Sequence, residues 1–199
     1  MDGLINGVQI RLDHPYDGRK YIWLSSVNFE GGTTSGSPVH FAGKPGGKTV
    51  FVTEGPLKGD LSHALSGRRF FCVPGANQAL NLVPVLKEMK ALGTSFVYET
   101  YDMDKLLSPV CHGDYSENCK DCPCYRKDWK NQCIPCERKQ IKRNNIKRGC
   151  NKLAEICKEL GLEGRTLTWD TDDDGNWSEN VKGVDDYLVS IRKPKFREI

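Results

Sequence analysis

The alternation of short apolar runs with helical patterns in the first half of the chain constrains the fold more than any other feature. Three mostly apolar runs have the length of buried strands: Val50–Val52, Phe70–Val73 and Ser95–Tyr98. The segments between them, Pro56–Leu65 and Ala79–Leu92, have the length and pattern of helices. Strands that alternate with helices predict a mostly parallel α/β sheet with right-handed crossovers. We therefore expect a functional site at the carboxyl ends of these strands.

A β-rich segment precedes this alternation. Residues Val8–Leu12 alternate apolar and polar, Asp17-Gly18 is a turn signal, and Tyr21–Leu24 is a second apolar run, so we expect a hairpin. A loop rich in Gly, Ser and Thr leads to a short strand at Pro38–Phe41. The segment Gly43–Lys48 then interrupts the pattern, and we place a subdomain boundary there.

After a cysteine-rich interval the α/β pattern resumes. We expect a helix at Ile146–Leu160 that stops at Gly161, a strand at Thr166–Trp169 and a last helix that begins at Asp185. The predicted regions are a β-rich N-terminal subdomain at residues 1–47, an α/β domain formed by residues 48–105 and 143–199, and an insertion at residues 106–142.

The composition is typical of a soluble globular protein. A chain of 199 residues with 38% hydrophobic and 28% charged residues can bury one sizeable core. No apolar run approaches the ~18–20 residues that a membrane span requires, and Met1–Leu4 lacks the basic start and apolar stretch of a secretory signal. We expect a cytoplasmic protein that has no membrane partner.

Three carboxylates follow predicted strands at the same edge of the sheet. Glu54 comes directly after the first strand of the α/β run, and Asp102 and Asp104 follow the third. In an extended segment residues two apart point the same way, so Asp102 and Asp104 can share a cation. Hard oxygen ligands of this kind favour Mg²⁺ or Mn²⁺. An acid after a strand is more often a turn or capping residue, but three at equivalent strand ends favour a metal site.

Four motifs in the α/β region occur in the order Thr53–Asp60, Val73–Gly75, Asp102–Asp104 and Lys182–Leu188. Together they resemble the Toprim domain that bacterial primases, topoisomerases and some nucleases share. In that family the Glu after the first strand and the Asp-x-Asp after the third build the catalytic site. The resemblance implies that Glu54, Asp102 and Asp104 are the catalytic and Mg²⁺-binding acids, with Asp60, Asp185 and Asp186 as supporting metal ligands.

The resemblance extends upstream of the α/β region. The segments Gly7–Arg11, Arg19–Ser26 and Gly36–Phe41 are similar to the strands that precede Toprim in bacterial-type primases. The likeness is greatest to the primase-like Toprim domains of phages, plasmids and integrative elements, and it covers most of the chain outside residues 106–142. It implies that Arg11, Lys20 and Lys58 contact nucleic acid or nucleotide. The glycine-rich pattern that the family carries before the position of Arg11 is not reproduced here.

The interval between Cys111 and Cys136 contains six of the nine cysteines. Two CxxC pairs separated by ten residues can supply four thiolates for a structural Zn²⁺. The predicted ligands are Cys119, Cys122, Cys133 and Cys136, with Cys111, His112 and Cys124 as substitutes. An iron–sulfur cluster, disulfides or free thiols are the alternatives. The insertion is too short for its own core, so it needs the metal to fold; it either grips single strands or only braces the edge of the active site.

Basic residues are concentrated near the predicted site, although the net charge is only +3. They are Lys120, Arg126, Lys127, Lys130, Arg138, Lys139, Lys142, Arg143, Lys147 and Arg148. A charge run is often only a solvated helix face. Beside a metal site it also suits the phosphate backbone of nucleic acid. The expected partners are single-stranded DNA and nucleotides, and a helicase or another replication protein.

The leading functional hypothesis is a DNA primase-like nucleotidyltransferase that joins ribonucleotides on a DNA template during replication. The alternatives are a Toprim nuclease that uses the same acids with water as nucleophile, and a non-catalytic zinc module that binds nucleic acid. The upstream strands favour the primase, because nucleases of the family generally lack them. The chain begins at those strands, so we expect part of a larger enzyme.

Overall fold

Most of the elements that the sequence pattern predicts are present in the fold. The structure, a computed structural model, describes residues 7–16, 19–111, 119 and 134–192. The strands are β1 (Gln9–Tyr16), β2 (Arg19–Trp23), β3 (His40–Ala42), β4 (Thr49–Glu54), β5 (Phe70–Val73), β6 (Phe96–Glu99), β7 (Val110–Cys111), β8 (Ile134–Pro135) and β9 (Glu163–Thr166). The α-helices are α1 (Pro56–Ser66), α2 (Leu82–Ala91), α3 (Glu137–Glu159) and α4 (Val184–Arg192), with short 3-10 helices at Ala76–Asn81 and Met103–Leu106. Of the helices described, none combines the length and the apolar character that crossing a membrane requires.

Five strands form a mostly parallel sheet in the order β3-β5-β4-β6-β9. Strands β5, β4, β6 and β9 run parallel, and β3 adds to β5 in the antiparallel sense. The mixed α/β architecture is compatible with a Rossmann-like fold. The chain leaves β4 toward β5 on one side and leaves β6 toward β9 on the other. The carboxyl ends of β4 and β6 therefore flank a topological switch point, where open α/β sheets bind ligands.

Side chains of the sheet alternate between two apolar cores, one on each face. In β4, Val50 and Val52 belong to the first core, whereas Phe51 packs against the second. The first core lies under α2, α3 and the 3-10 helix at Ala76–Asn81. The second core includes Phe70 and Trp169 and lies on the side of α1 and α4. Helices thus cover both faces, as a parallel sheet requires.

Two glycines allow helices to approach their neighbours closely. A Cβ on Gly59 of α1 would lie 1.9 Å from Cys72 Sγ in β5. A Cβ on Gly149 of α3 would lie 2.6 Å from Ala76 Cβ and 2.7 Å from Ala76 O. Only a residue without a side chain permits these separations, so the two glycines set the distance between layers.

The N-terminal hairpin is confirmed. Strands β1 and β2 pair antiparallel, with Arg11 opposite Tyr21, and the turn at residues 17–18 lies outside the described residues. The short strand that follows, β3, joins the main sheet even though it precedes the boundary predicted at residue 47. The division of the chain into domains stays a prediction.

Several element boundaries differ by one or two residues from those the sequence predicts, and three elements differ more. Helix α3 begins at Glu137, nine residues before Ile146, because its first three turns are almost entirely polar and show no apolar periodicity. The predicted helix at Ala79–Leu92 is divided into a 3-10 helix and α2. The predicted strand at Thr166–Trp169 is wrong, since β9 pairs with β6 at Glu163–Thr166 and Trp169 enters the second core instead.

Candidate active site

The end of β4 places Glu54 at the switch point of the sheet. Glu54 is the last residue of the strand, and the next residue, Gly55, has a φ of 84°, which side-chain-bearing residues rarely adopt. The Gly55 N–H donates to Val73 O at 2.8 Å, and Pro56 begins α1. This turn keeps the Glu54 carboxyl at the edge of the sheet rather than along the helix.

The segment after β6 places Asp102 and Asp104 beside the end of β4. The Thr100 N–H donates to Val52 O at 2.8 Å, so the backbone still follows β4 beyond the last residue of β6. Asp102 is in an extended conformation, but Asp104 lies in the 3-10 helix that follows. The fully extended Asp-x-Asp that we expected from the sequence is therefore wrong. The two carboxylates nevertheless lie close together, as their shared contact with Lys182 shows.

Three lysines surround the two aspartates. Lys58 of α1 forms an ion pair with Asp102 Oδ1. Lys182 Nζ lies 3.1 Å from Asp102 Oδ2 and 2.9 Å from Asp104 Oδ2. Lys142 Nζ of α3 lies 2.9 Å from Asp104 Oδ1, a buried oxygen that accepts no described hydrogen bond. The lysines come from three separate elements that pack around the carboxyl ends of the strands.

The protonation of the acids follows from burial and from these charges. Burial and the neighbouring Asp102 carboxylate raise the pKa of Glu54 to about 7, against the opposing effect of Lys58 and Lys182. Burial also acts to raise the pKa of Asp102, but Lys58 and Lys182 outweigh it, and the pKa of Asp102 lies below its usual value. Near neutral pH Glu54 is therefore partly protonated beside the ionised carboxylate of Asp102.

The donor set suits a hard divalent cation, although the lysines share its oxygens. Carboxylate oxygens are the ligands that Mg²⁺ and Mn²⁺ prefer, and Asp104 Oδ1, which accepts no described hydrogen bond, would be open to a cation once Lys142 moves away. In the described part of the chain, no three acidic, histidine or cysteine side chains are arranged as a preformed metal-binding group. Metal binding at Glu54, Asp102 and Asp104 therefore stays a prediction that requires lysine movement.

The predicted supporting acids differ in where they lie. Asp185 is partly buried with an unpartnered Oδ1, and burial raises its pKa against the opposing charge of Lys58, which places it near the site. Asp186 accepts a hydrogen bond from the Gly183 N–H at 3.2 Å. Asp60 is exposed and contacts His40 Nε2 at 2.7 Å. The described contacts therefore associate Asp185 with the three acids, but not Asp60.

The predicted nucleic-acid residues are only partly described. Lys58 lies in the acidic site, as stated above. Arg11 is exposed on β1, and no described contact joins it to the acids. Lys20 belongs to β2, but its side chain is outside the described residues.

The ends of the cysteine-rich interval are held together. Strand β7 pairs antiparallel with β8, and the Cys136 N–H donates to Pro109 O at 2.7 Å. The pairing therefore brings together the two ends of the interval, which are marked by the half-buried residues Cys111 and Cys136. Cys119 is also half-buried. His112, Cys122, Cys124 and Cys133 lie outside the described residues, so the zinc site stays a prediction.

A buried ion pair beside the site was missed by the sequence reasoning. Lys105 Nζ lies 3.0 and 3.2 Å from the Glu99 carboxylate, and both side chains are about 5% exposed or less. Lys105 also donates to Leu167 O at 2.7 Å, and its ammonium lies 5.4 Å from the Trp169 ring centroid. The pair connects β6 to the segment after β9. A charged residue at the end of an apolar strand, followed six residues later by one of opposite charge, is the only sequence signal.

Lys142 and Lys182 were not recognised as site residues either. Lys142 was counted only as part of a charge run, and Lys182 only as the first residue of a motif. Each is about 40 residues or more from the aspartates in sequence. Their approach depends on α3 and on the loop before α4, which no local pattern reveals.

Comparison with known proteins gives no further guide to this site. The chain matches no protein-family model, no curated protein and no solved structure.

Proposed function

We propose that the chain is a Toprim-type nucleotidyltransferase domain that carries out metal-dependent phosphoryl transfer on nucleic acid, most simply as the catalytic core of a primase-like enzyme. One observation carries the proposal: Glu54, Asp102 and Asp104 converge at the switch point between β4 and β6, where a ligand binds in folds of this kind. The antiparallel hairpin β1–β2 that precedes the sheet supports the primase over the nuclease, since primases of this family carry such strands.

In this mechanism the acids bind the cation, Lys58 orients one of the acids, and the more exposed lysines bind the substrate. Mg²⁺ or Mn²⁺, when bound, would help to deprotonate a 3′-hydroxyl and neutralise charge on the transferred phosphoryl group. Asp102 and Asp104 would be its principal ligands, and Glu54 would join them after losing its shared proton. Lys58 keeps the Asp102 carboxylate oriented through its ion pair. Lys142 and Lys182, whose side chains are about half exposed, would attract the phosphates of nucleotide and primer.

Helix α3 supports an assignment to nucleic acid. Its first half carries Arg138, Lys139, Lys142, Arg143, Lys147 and Arg148, with Glu137 as its single acid. Lys142 reaches Asp104, so this basic helix begins at the edge of the acidic site. We propose that it follows the backbone of single-stranded DNA. Substituting Lys147 and Arg148 by Ala should weaken the binding of single-stranded DNA and reduce the dependence of its affinity on salt concentration. Unchanged affinity would show that α3 does not contact the DNA.

We also propose that the interval between β7 and β8 binds one structural Zn²⁺. Cysteines at its two ends, Cys111 and Cys136, lie close together through the β7–β8 pairing, as a shared metal would require. Thiolates from the CxxC pairs would complete a tetrahedral site. Elemental analysis of protein purified without chelator should give one zinc per chain. Iron together with visible absorption would instead indicate an iron–sulfur cluster.

The decisive assay is primer synthesis and hydrolysis on single-stranded DNA, measured in parallel with Mg²⁺ and with Mn²⁺. We expect ribonucleotide incorporation that is lost in Asp102→Asn and Asp104→Asn and retained in the control Asp173→Asn, an exposed acid in the loop after β9. Metal-dependent cleavage without synthesis would assign the nuclease instead. Full synthesis by either aspartate variant would exclude these acids as catalytic residues.

A further inference from the structure

We propose that Lys182 bridges Asp102 and Asp104 until a divalent cation displaces it, after which its ammonium binds a phosphate of the substrate. The inference rests on the proposed function, because it requires the three acids to bind metal. It assigns to Lys182 a role that the acidic motif alone does not indicate.

The contacts of Lys182 resemble those of a shared cation. One ammonium nitrogen lies 3.1 Å from Asp102 Oδ2 and 2.9 Å from Asp104 Oδ2, so it links the same two carboxylates that a metal would bridge. An ammonium and a divalent cation cannot occupy the space between these oxygens together. The dication has the stronger attraction for a carboxylate pair at equal distance. Metal binding therefore expels the Lys182 ammonium.

The backbone around Lys182 is anchored, so only the side chain needs to move. Lys182 O accepts a hydrogen bond from the Met103 N–H at 3.0 Å, which ties it to the segment that carries both aspartates. The preceding carbonyl, Val181 O, accepts hydrogen bonds from the indoles of Trp169 and Trp177. After displacement the Lys182 ammonium remains beside the metal on its flexible four-carbon stem, where a phosphate must approach.

Exposure distinguishes Lys182 from Lys58. The Lys58 side chain is only 18% exposed and contacts Asp102 Oδ1, whereas the Lys182 side chain is 47% exposed. Lys58 therefore has little freedom to leave, and Lys182 can turn toward solvent without opening the fold. Lys142 is 51% exposed but contacts Asp104 alone, so its removal should affect metal binding less.

Chemical labelling of lysine amines, read by mass spectrometry, tests the displacement directly. We expect an acylating reagent to label Lys182 several-fold more after saturation of the full chain with Mn²⁺. The internal reference is Lys152, which is ion-paired with Glu155 at 2.9 Å on α3, ten residues beyond Lys142, and whose labelling should not change. Equal labelling of Lys182 with and without bound Mn²⁺ would overturn the proposal.

Lys182→Ala supplies a second, independent measurement. Removing the competing ammonium should strengthen Mn²⁺ binding about tenfold in calorimetry, whereas Lys152→Ala removes the same charge without this effect. Mn²⁺ should also strengthen binding of a dT12 oligonucleotide by the unmodified chain more than by Lys182→Ala. Unchanged or weaker Mn²⁺ affinity in Lys182→Ala would contradict displacement, whereas Mn²⁺ binding by the unmodified chain would still support the metal site. A failure of the unmodified chain to bind Mn²⁺ refutes both this inference and the proposed function.

Discussion

Glu54 differs from the two aspartates because, among the residues that the structure describes, no lysine forms an ion pair with it. Lys58 and Lys182 make direct contacts with Asp102, but act on Glu54 only through their charge. Ionisation of Glu54 is therefore more costly than ionisation of Asp102. The sequence predicted that the three acids lie together, yet it could not predict this difference in pKa, because the difference depends on lysines from other elements.

This difference predicts a pH-dependent stability effect for Glu54→Gln in chelator. The pKa of Glu54 is about 7 in the folded chain and near the ordinary 4.5 when unfolded. The wild type should therefore match the variant below pH 4.5, lose stability relative to it as the pH rises to 7, and remain less stable above. At pH 8 the Gln variant should be more stable to urea by ~1–3 kcal/mol. A difference that is the same at pH 4 and pH 8 would contradict the raised pKa.

The Glu99–Lys105 pair predicts a large, non-additive loss of stability. Lys105→Met removes the ammonium that pairs with the buried Glu99 carboxylate, although the Tyr101 N–H still donates to it, and should cost ~3–5 kcal/mol in the free energy of unfolding. Adding Glu99→Gln removes the buried charge and should restore part of that loss. Urea unfolding of the wild type, both single variants and the double variant measures the coupling. A Lys105→Met loss under ~1 kcal/mol would show that the pair contributes little.

Strand β5, whose side chains are buried on both faces, was predictable from the sequence, whereas β9 and the start of α3 were not. All four residues of β5 are buried, and its bounds are those that the apolar run indicates. The side chains of β9 are all exposed, so only pairing with β6 defines that strand. The start of α3 was likewise not predictable from the sequence pattern, because Ile141 is the only apolar residue among the first nine residues of the helix. Tertiary contacts decide such elements.

The close packing of α3 predicts that an alanine at position 149 destabilises the fold. In an open helix interior Gly→Ala adds stability, but here the new methyl would lie 2.6 Å from Ala76 Cβ. Gly149→Ala should therefore lower the free energy of unfolding by ~1–3 kcal/mol. Asn151→Ala, on the exposed side of the same helix, should be neutral or slightly stabilising. A Gly149→Ala variant as stable as wild type would contradict the close approach to the 3-10 helix.

The molecule as a whole assembles one site from distant parts of the chain. Strands β4 and β6 bring the acids, α1 and α3 bring Lys58 and Lys142, and the loop before α4 brings Lys182. The cysteine-rich interval leaves the sheet just after Asp104 and returns at the start of α3, so its base adjoins the same edge. The sequence predicted that the acids lie at the carboxyl edge of the sheet, because the end of a strand is set by residues close together in sequence. It could not predict the lysine cluster, which requires the complete fold.

Manganese binding by calorimetry tests the central claim, that Glu54, Asp102 and Asp104 form one divalent-cation site. The comparison uses the unmodified chain, Asp102→Asn, Asp104→Asn and the control Asp173→Asn, with circular dichroism to verify that each variant is folded. We predict saturable binding of Mn²⁺ to the unmodified chain and to Asp173→Asn, and at least about tenfold weaker binding to both site variants, since each loses a charged oxygen ligand. Binding of Mn²⁺ with unchanged affinity to Asp102→Asn and Asp104→Asn would contradict the account.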